Sequence, residues 1–145
     1  MPRLLLLVAT LWVGSLWTVG YIVAPTLFAT LADRKLAGTI AGALFRVEAW
    51  LSLACALVIL TAIFCCKEMA AAQRKALLRL IFAMLVCTLI MQFGLQPAMA
   101  SLRTAAAAGG MTLDVKTYFG VLHGVAALVF FIQSMLGISL MLKLK

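Results

Sequence analysis

The fold is decided by long apolar stretches, and the clearest of them is TYFGVLHGVAALVFFIQSMLGISLML, residues 117–142. This stretch holds no lysine, arginine, aspartate or glutamate. It is longer than the about 20 apolar residues that a helix needs to cross a bilayer core of about 30 Å. Because lipid offers no partner to backbone polar groups and the stretch does not alternate, a helix is expected rather than a barrel strand.

Three further stretches have the same character, and the four together predict an all-α integral membrane four-helix bundle. Of the 145 residues, 66% are hydrophobic and 11% are charged, against about 45–50% and about 25% in a soluble domain. A chain this short could not bury so much apolar surface in water, so a soluble enzyme and a disulfide-rich secreted domain are excluded. The spans expected within one domain of residues 1–145 are 4–31, 41–65, 76–100 and 117–142.

The connections between the spans hold most of the charge and predict the orientation. One side has seven basic residues, which are Arg3, Lys67, Arg74, Lys75, Arg79, Lys143 and Lys145. The other side has four, which are Arg34, Lys35, Arg103 and Lys116. Because basic loops stay on the cytoplasmic side, both termini are predicted to be cytoplasmic, in the inner membrane if the source is bacterial. The net charge of +8 suits anionic lipid, and without a basic run that interleaves aromatics no nucleic acid partner is expected.

A few polar residues lie within the spans, all in the half of the bilayer predicted to be external. Ionisable groups inside a membrane helix are costly and therefore mark candidate sites. The predicted ligand-binding residues are Arg46, Glu48, Gln92, Gln96 and His123. Arg46 would hold an anionic group, Glu48 would balance charge or carry a proton, and the glutamines would orient the ligand. The alternatives are a structural clamp that holds the helices in register, and snorkelling of Arg46 to the interface.

Metal and cofactor chemistry has weaker support. Soft sulfur side chains at similar depth, which suit copper(I), are Cys55, Met84, Cys87 and Met91. Such side chains also commonly pack in apolar cores without binding a metal. His123 is the only histidine, so a haem with two histidine ligands cannot form within one chain. No nucleotide loop and no Ser/His/Asp arrangement is present. We therefore predict no cofactor and no enzyme, and keep haem as an alternative.

Glycines and prolines predict where helices approach closely and where they bend. Two Gly-x-x-x-Gly pairs would let backbones pack together, either inside one bundle or between copies in a homo-oligomer. The predicted packing glycines are Gly38, Gly42, Gly120 and Gly124. Pro25 and Pro97 each remove a backbone hydrogen bond and are expected to kink the first and third helices, where freed carbonyls would line a small cavity.

Several motifs resemble a known family. They are APTLF at 24–28, AGTIAGALF at 37–45 and His-Gly at 123–124. Together they resemble the bacterial membrane proteins of domain of unknown function 4149, which are similar to eukaryotic transmembrane protein 205. The resemblance implies a four-helix membrane fold and a distant likeness to copper-resistance-D-type proteins and a haem-pathway membrane oxidase. The bacterial family has no established activity, and the eukaryotic relatives are linked to platinum-drug resistance.

These observations lead to three functional hypotheses. The first is a small membrane protein, expected to be a homo-oligomer in the lipid bilayer, that binds or transports an unknown small solute or ion through the polar site. The second is a haem- or quinone-linked redox protein that uses His123. The third is a structural or assembly subunit without a ligand.

Overall fold

The computed structural model describes residues 2–66, 69–109 and 112–144. In those residues it holds four helices that are long and apolar enough to cross a membrane, so the chain is an all-α, multi-pass membrane protein. We call them the first to fourth helices, and their spans are Arg3–Thr30, Arg34–Cys65, Ala71–Ala106 and Leu113–Leu144. Some residues used above in the charge count, Lys67 and Lys145, lie outside the described residues.

The four helices form an antiparallel bundle in chain order, with the first helix also packed against the fourth. At one end, Gln73 Nε2 near the start of the third helix donates to the carbonyl of Lys143 near the end of the fourth, over 3.1 Å. At the other end, Arg103 of the third helix donates to the carbonyl of Gly38 in the second. We call these the proximal and distal ends, and the connection at residues 31–33 is distal.

Three of the helices extend beyond the apolar stretches that predicted them. The second begins at Arg34 rather than near residue 41, because the Asp33 side chain caps it. Its Oδ1 accepts from the backbone N–H groups of Lys35 and Leu36, at 2.8 and 3.2 Å. Such a cap satisfies donors that the first turn leaves free. The third helix continues through an alanine-rich segment to Gly109, so Arg103, counted above with a connection between spans, lies within a helix.

A π-helical turn precedes each of the two prolines that were expected to kink their helices. The turns are Thr18–Val23 before Pro25 and Ile90–Leu95 before Pro97. A proline ring clashes with the carbonyl four residues earlier and has no N–H to donate. The wider turn accommodates both effects in the same way in the first and third helices.

The hydrogen bonds around these turns free a backbone carbonyl in each helix. The N–H of Ala24 reaches back five residues to Val19, and the N–H of Gln96 reaches back to Met91. The carbonyl of Gln92 would normally accept from the N–H of Gln96, four residues on, but that N–H is used by Met91. The residue five positions on is Pro97, which has no N–H, so the Gln92 carbonyl is left without a helical donor. The freed carbonyl lies in the distal half of the bundle.

The apolar core is divided unequally between the two ends. In the proximal half, side chains from all four helices form one tight cluster. Its fully buried large members include Trp12, Ile59, Ile63, Leu77, Ile81, Met84 and Leu140. In the distal half, a smaller cluster around Leu95, Met99 and Ala126 joins only the third and fourth helices. The second helix contributes no residue to this distal cluster, and a cavity lies between the second and third helices there.

Candidate functional site

The larger cavity lies between the second and third helices in the distal half, with a volume of about 490 Å³. Small residues on both helices, Gly42, Ala43 and Ala100, give it room. Its polar lining consists of Lys35, Thr39, Arg46, Gln92, Gln96, Arg103 and Thr104. The volume lies within the range of about 300–1,000 Å³ that is usual for small-molecule sites.

The charges that line this cavity are all positive. Lys35 and Arg46 come from the second helix and Arg103 comes from the third. Among the residues that the structure describes, no aspartate or glutamate lines the same space. Like charges close together at a membrane repel each other and are costly to desolvate. An anion in the cavity would remove that cost.

Arg103 is held in place by the glycine face of the second helix. One guanidinium nitrogen, Nη1, donates to the carbonyl oxygen of Gly38. A Cβ on Gly38 would lie only 2.8 Å from that nitrogen, and a Cβ on Gly42 would lie 3.5 Å from Gln96 Oε1 and 3.7 Å from Arg103 Nη2. Gly38 therefore makes room for the Arg103 side chain of the third helix, whereas a Cβ on Gly42 would be in ordinary contact with its polar neighbours.

A second, much smaller cavity of about 30 Å³ lies beside the first, around Glu48. Gln92 and Gln96 line both cavities. Glu48 is only 5% exposed, and the hydroxyl of Ser52 donates to its Oε1 over 3.3 Å. The Ser52 oxygen in turn accepts from Trp12 Nε1 of the first helix, over 2.8 Å. Glu48 is thus anchored through two helices.

The remaining buried polar groups complete a layer across the middle of the bundle. Gln133 Nε2 of the fourth helix donates to Thr88 Oγ1 of the third over 3.0 Å, and Thr88 donates to the carbonyl of Met84 over 3.1 Å. Tyr21 of the first helix donates to Ser134 of the fourth over 3.1 Å. Each pair satisfies polar groups that lipid could not satisfy.

Comparison with known families bears directly on this region. The model of the family described as Domain of unknown function (DUF4149) matches residues 7–108. The chain belongs to this family. The match contains every residue named above for the cationic cavity, whereas Gln133 and Phe130 of the smaller cavity come from the fourth helix, outside it. Comparison with curated proteins and with solved structures found no match.

Four of the five predicted ligand-binding residues in this DUF4149 protein surround the two cavities. Arg46 lines the larger one and Glu48 the smaller, which agrees with their spacing of two residues on one helix. Gln92 and Gln96 lie between the cavities. Prediction from sequence missed Arg103, because it was counted among the basic residues of the connection after the third span. It also missed Lys35, which was counted with the connection before the second span, and Gln133, a polar residue within the fourth span that the criterion applied to Gln92 and Gln96 would have found.

His123, the fifth predicted ligand-binding residue, is not among the side chains that surround the two cavities. Its side chain is exposed, and its ring stacks on Phe119 of the same helix with centroids 6.4 Å apart and planes 8° from parallel. Neither cavity has His123 among the lining residues given by the described part of the chain. The fourth helix turns this face outward, although the residue lies at the expected depth.

The predicted sulfur side chains do not gather at one place. Cys55 and Met84 belong to the proximal apolar cluster, Cys87 is buried, and Met91 lines the smaller cavity. Within residues 2–66, 69–109 and 112–144, no three His, Cys, Asp or Glu side chains are grouped to hold a metal ion. Gly120 and Gly124 are exposed, and a Cβ on either would have no described neighbour within 4 Å. Their packing inside one bundle is not observed, and packing between copies stays a prediction.

Proposed function

We propose that this DUF4149 protein binds a small anionic solute, carrying a phosphate or carboxylate group, in the cationic cavity. The observation that carries the proposal is the lining of three basic side chains without a carboxylate. A structural clamp would account for the paired polar groups of the buried layer. It would not account for Lys35, Arg46 and Arg103 around an open space.

The depth of the cavity strengthens the electrostatic argument. At about 1.5 Å per residue, Arg46 lies about 18 Å along the second helix from Arg34, well inside the span. A positive charge at that depth is costly unless it faces water or a partner of opposite charge. Arg46 is exposed and lines the cavity, so a bound anion is the partner that would stabilise it.

The side chains that line the cavity would contribute to anion binding in different ways. Arg103 donates one hydrogen bond from Nη1 to the carbonyl of Gly38, which leaves the other guanidinium N–H groups available to an anion. Arg46 and Lys35 contribute charge, and the amides of Gln92 and Gln96 contribute hydrogen bonds at the deep end of the cavity. A volume of about 490 Å³ fits a metabolite-sized anion better than a bare halide.

Binding is better supported than passage through a single bundle. Beyond the Glu48 layer the proximal cluster fills the space between all four helices, with Trp12, Ile59 and Ile81 fully buried. Transport in one protomer would require this cluster to separate. The redox alternative depends on His123, which lies outside both cavities.

The proposal can be tested by measuring the binding of inorganic phosphate and of succinate to the purified protein. In a detergent with uncharged headgroups, titration calorimetry should show saturable binding by the native protein. Arg46→Gln should weaken it about tenfold or more, since a hydrogen bond to a charged group contributes about 1.5–3 kcal/mol. Arg79→Gln is the matched control, because Arg79 is exposed near the proximal end and donates to Lys75 of its own helix. Equal affinities of the two variants would refute the proposal.

The headgroup of an anionic lipid also carries a phosphate group, so a second experiment distinguishes a bound lipid from a bound free solute. The native protein is reconstituted in nanodiscs of phosphatidylcholine or of phosphatidylglycerol. A solute site binds succinate in phosphatidylcholine nanodiscs. A site occupied by lipid binds neither probe and instead enriches phosphatidylglycerol in a manner that Arg46→Gln abolishes, and this outcome would overturn the solute proposal.

A further inference from the structure

We propose that the small cavity beside Glu48 is a binding site for a monovalent cation, with Na⁺ as its occupant. This inference does not depend on the anion proposal, although the two cavities are adjacent. It rests on the size of the cavity, on its oxygen-bearing lining and on the charge of one deeply buried carboxylate.

The cavity has the dimensions of a single-ion site. Its volume of about 30 Å³ holds about two or three water-sized particles, enough for one ion with a water, since one water needs about 10–15 Å³ on this measure. All four helices contribute to its lining, and three of them supply its oxygen-bearing side chains. The oxygen-bearing members are Glu48, Ser52, Thr88, Gln92, Gln96 and Gln133.

Several of these oxygens remain free to face an ion. Gln133 donates through Nε2 to Thr88, which leaves its amide oxygen as an acceptor. Ser52 donates to Oε1 of Glu48 and Ser15 of the first helix also lies within reach of this carboxylate, which still has further lone pairs to offer an ion because an ionised carboxylate can accept about four hydrogen bonds. Carboxylate, hydroxyl and amide oxygens are the groups that replace the hydration shell of a hard cation inside a membrane protein.

The negative charge of an ionised Glu48 would be stabilised by a cation beside it, and it limits the valence of that cation. Glu48 lies about 21 Å along the second helix from Arg34, close to the middle of the span. The arginine two residues before it lines the other cavity, and among the described residues no Lys or Arg lines this one. A single carboxylate neutralises one positive charge, whereas sites for divalent ions collect more carboxylates.

Thermal unfolding of the purified native protein tests the site in NaCl against N-methylglucamine chloride at equal ionic strength. Chloride is the same in both buffers, so the cationic cavity experiences no change of anion. We expect the unfolding midpoint to rise by about 5 °C when Na⁺ is well above its dissociation constant. Binding of radioactive sodium, displaced by unlabelled Na⁺, measures the same site directly without any variant.

Glu48→Gln keeps the shape of the side chain and removes its charge, so it should lose both the Na⁺-dependent rise and the radioactive sodium. Asp114→Asn is the matched control, because it removes one negative charge at an exposed position in the first turn of the fourth helix. It should respond to Na⁺ as the native protein does. If Glu48→Gln is too unstable to purify, Ser52→Ala should still show a reduced rise. A native protein that binds no sodium, or a Glu48→Gln protein that binds it equally well, would overturn the proposal.

Discussion

At the scale of single residues, Gly20 and Phe130 decide how tightly the Glu48 cavity is closed. The Phe130 ring occupies the place where a Cβ on Gly20 would lie. Tyr21 and Phe45 hold the ring edge-on, with centroids 5.2 and 6.1 Å away. Phe130 also lines the cavity beside Glu48. Because Gly20 of the first helix has no side chain, the Phe130 ring of the fourth helix has room to form part of the wall of that cavity.

Gly20→Ala should therefore lower the stability of the protein. The added methyl group overlaps the Phe130 ring, and overpacking of this kind costs about 1–3 kcal/mol. The measurement is the midpoint of thermal unfolding in detergent. Gly94→Ala is the control, because Gly94 lies in the equivalent π-helical turn of the third helix with no described neighbour within 4 Å of its Cβ position. It should leave the midpoint unchanged or raise it, as alanine is the better helix former. A midpoint lowered equally in both variants would contradict this account.

At the scale of helices, the second helix provides the rigid wall of both cavities. It runs without interruption over Arg34–Cys65, whereas the first and third helices are each interrupted by a π-helical turn. Its first turn carries Lys35, and its beginning depends on the side chain of Asp33. The cap thus positions one of the three cations of the larger cavity.

Removing this cap should destabilise the first turn. Asp33→Ala deletes the acceptor for the N–H groups of Lys35 and Leu36, and the loss of such a cap costs about 0.5–2 kcal/mol. Asp33→Asn keeps an acceptor oxygen and should retain most of the stability. Amide hydrogen exchange in the first turn, together with the unfolding midpoint, measures both effects. Equal losses in the two variants would show that the charge of Asp33, rather than its hydrogen bonds, is what matters.

At the scale of the whole molecule, the bundle is closed by apolar packing at the proximal end and open to a cationic cavity at the distal end. The seven basic residues expected on the side of the termini, against four on the other side, predict that the termini are cytoplasmic. If so, the cationic cavity opens away from the cytoplasm, and the anion that we propose would reach it from outside.

Thiol labelling tests this orientation with two single-cysteine proteins. One keeps only native Cys65, which is exposed at the proximal end of the second helix. The other carries only Ala32→Cys, at an exposed position in the distal connection. A membrane-impermeant maleimide should label the second protein in intact cells and the first only after permeabilisation. The reverse pattern would place the termini outside.

Hydropathy and residue spacing were sufficient to predict the class of the fold. The number of spans follows from local composition, because each helix must satisfy its own backbone in lipid and must be about 20 residues long to do so. The depth of Arg46, Glu48, Gln92 and Gln96 also follows, since depth depends only on distance along a helix. For the same reason Pro25 and Pro97 marked irregular turns, although not the π-helical form of those turns.

Only the tertiary structure decided which of these side chains meet. The rotation of a helix about its axis turns His123 outward and Gln133 inward, although both lie on the fourth helix. This rotation depends on contacts with other helices, such as the hydrogen bond from Gln133 to Thr88 of the third helix, and no local pattern encodes it. The sequence by itself therefore determined a four-helix membrane protein with polar residues at one depth. The packing of the helices divided those residues into a cationic cavity and a separate carboxylate cavity.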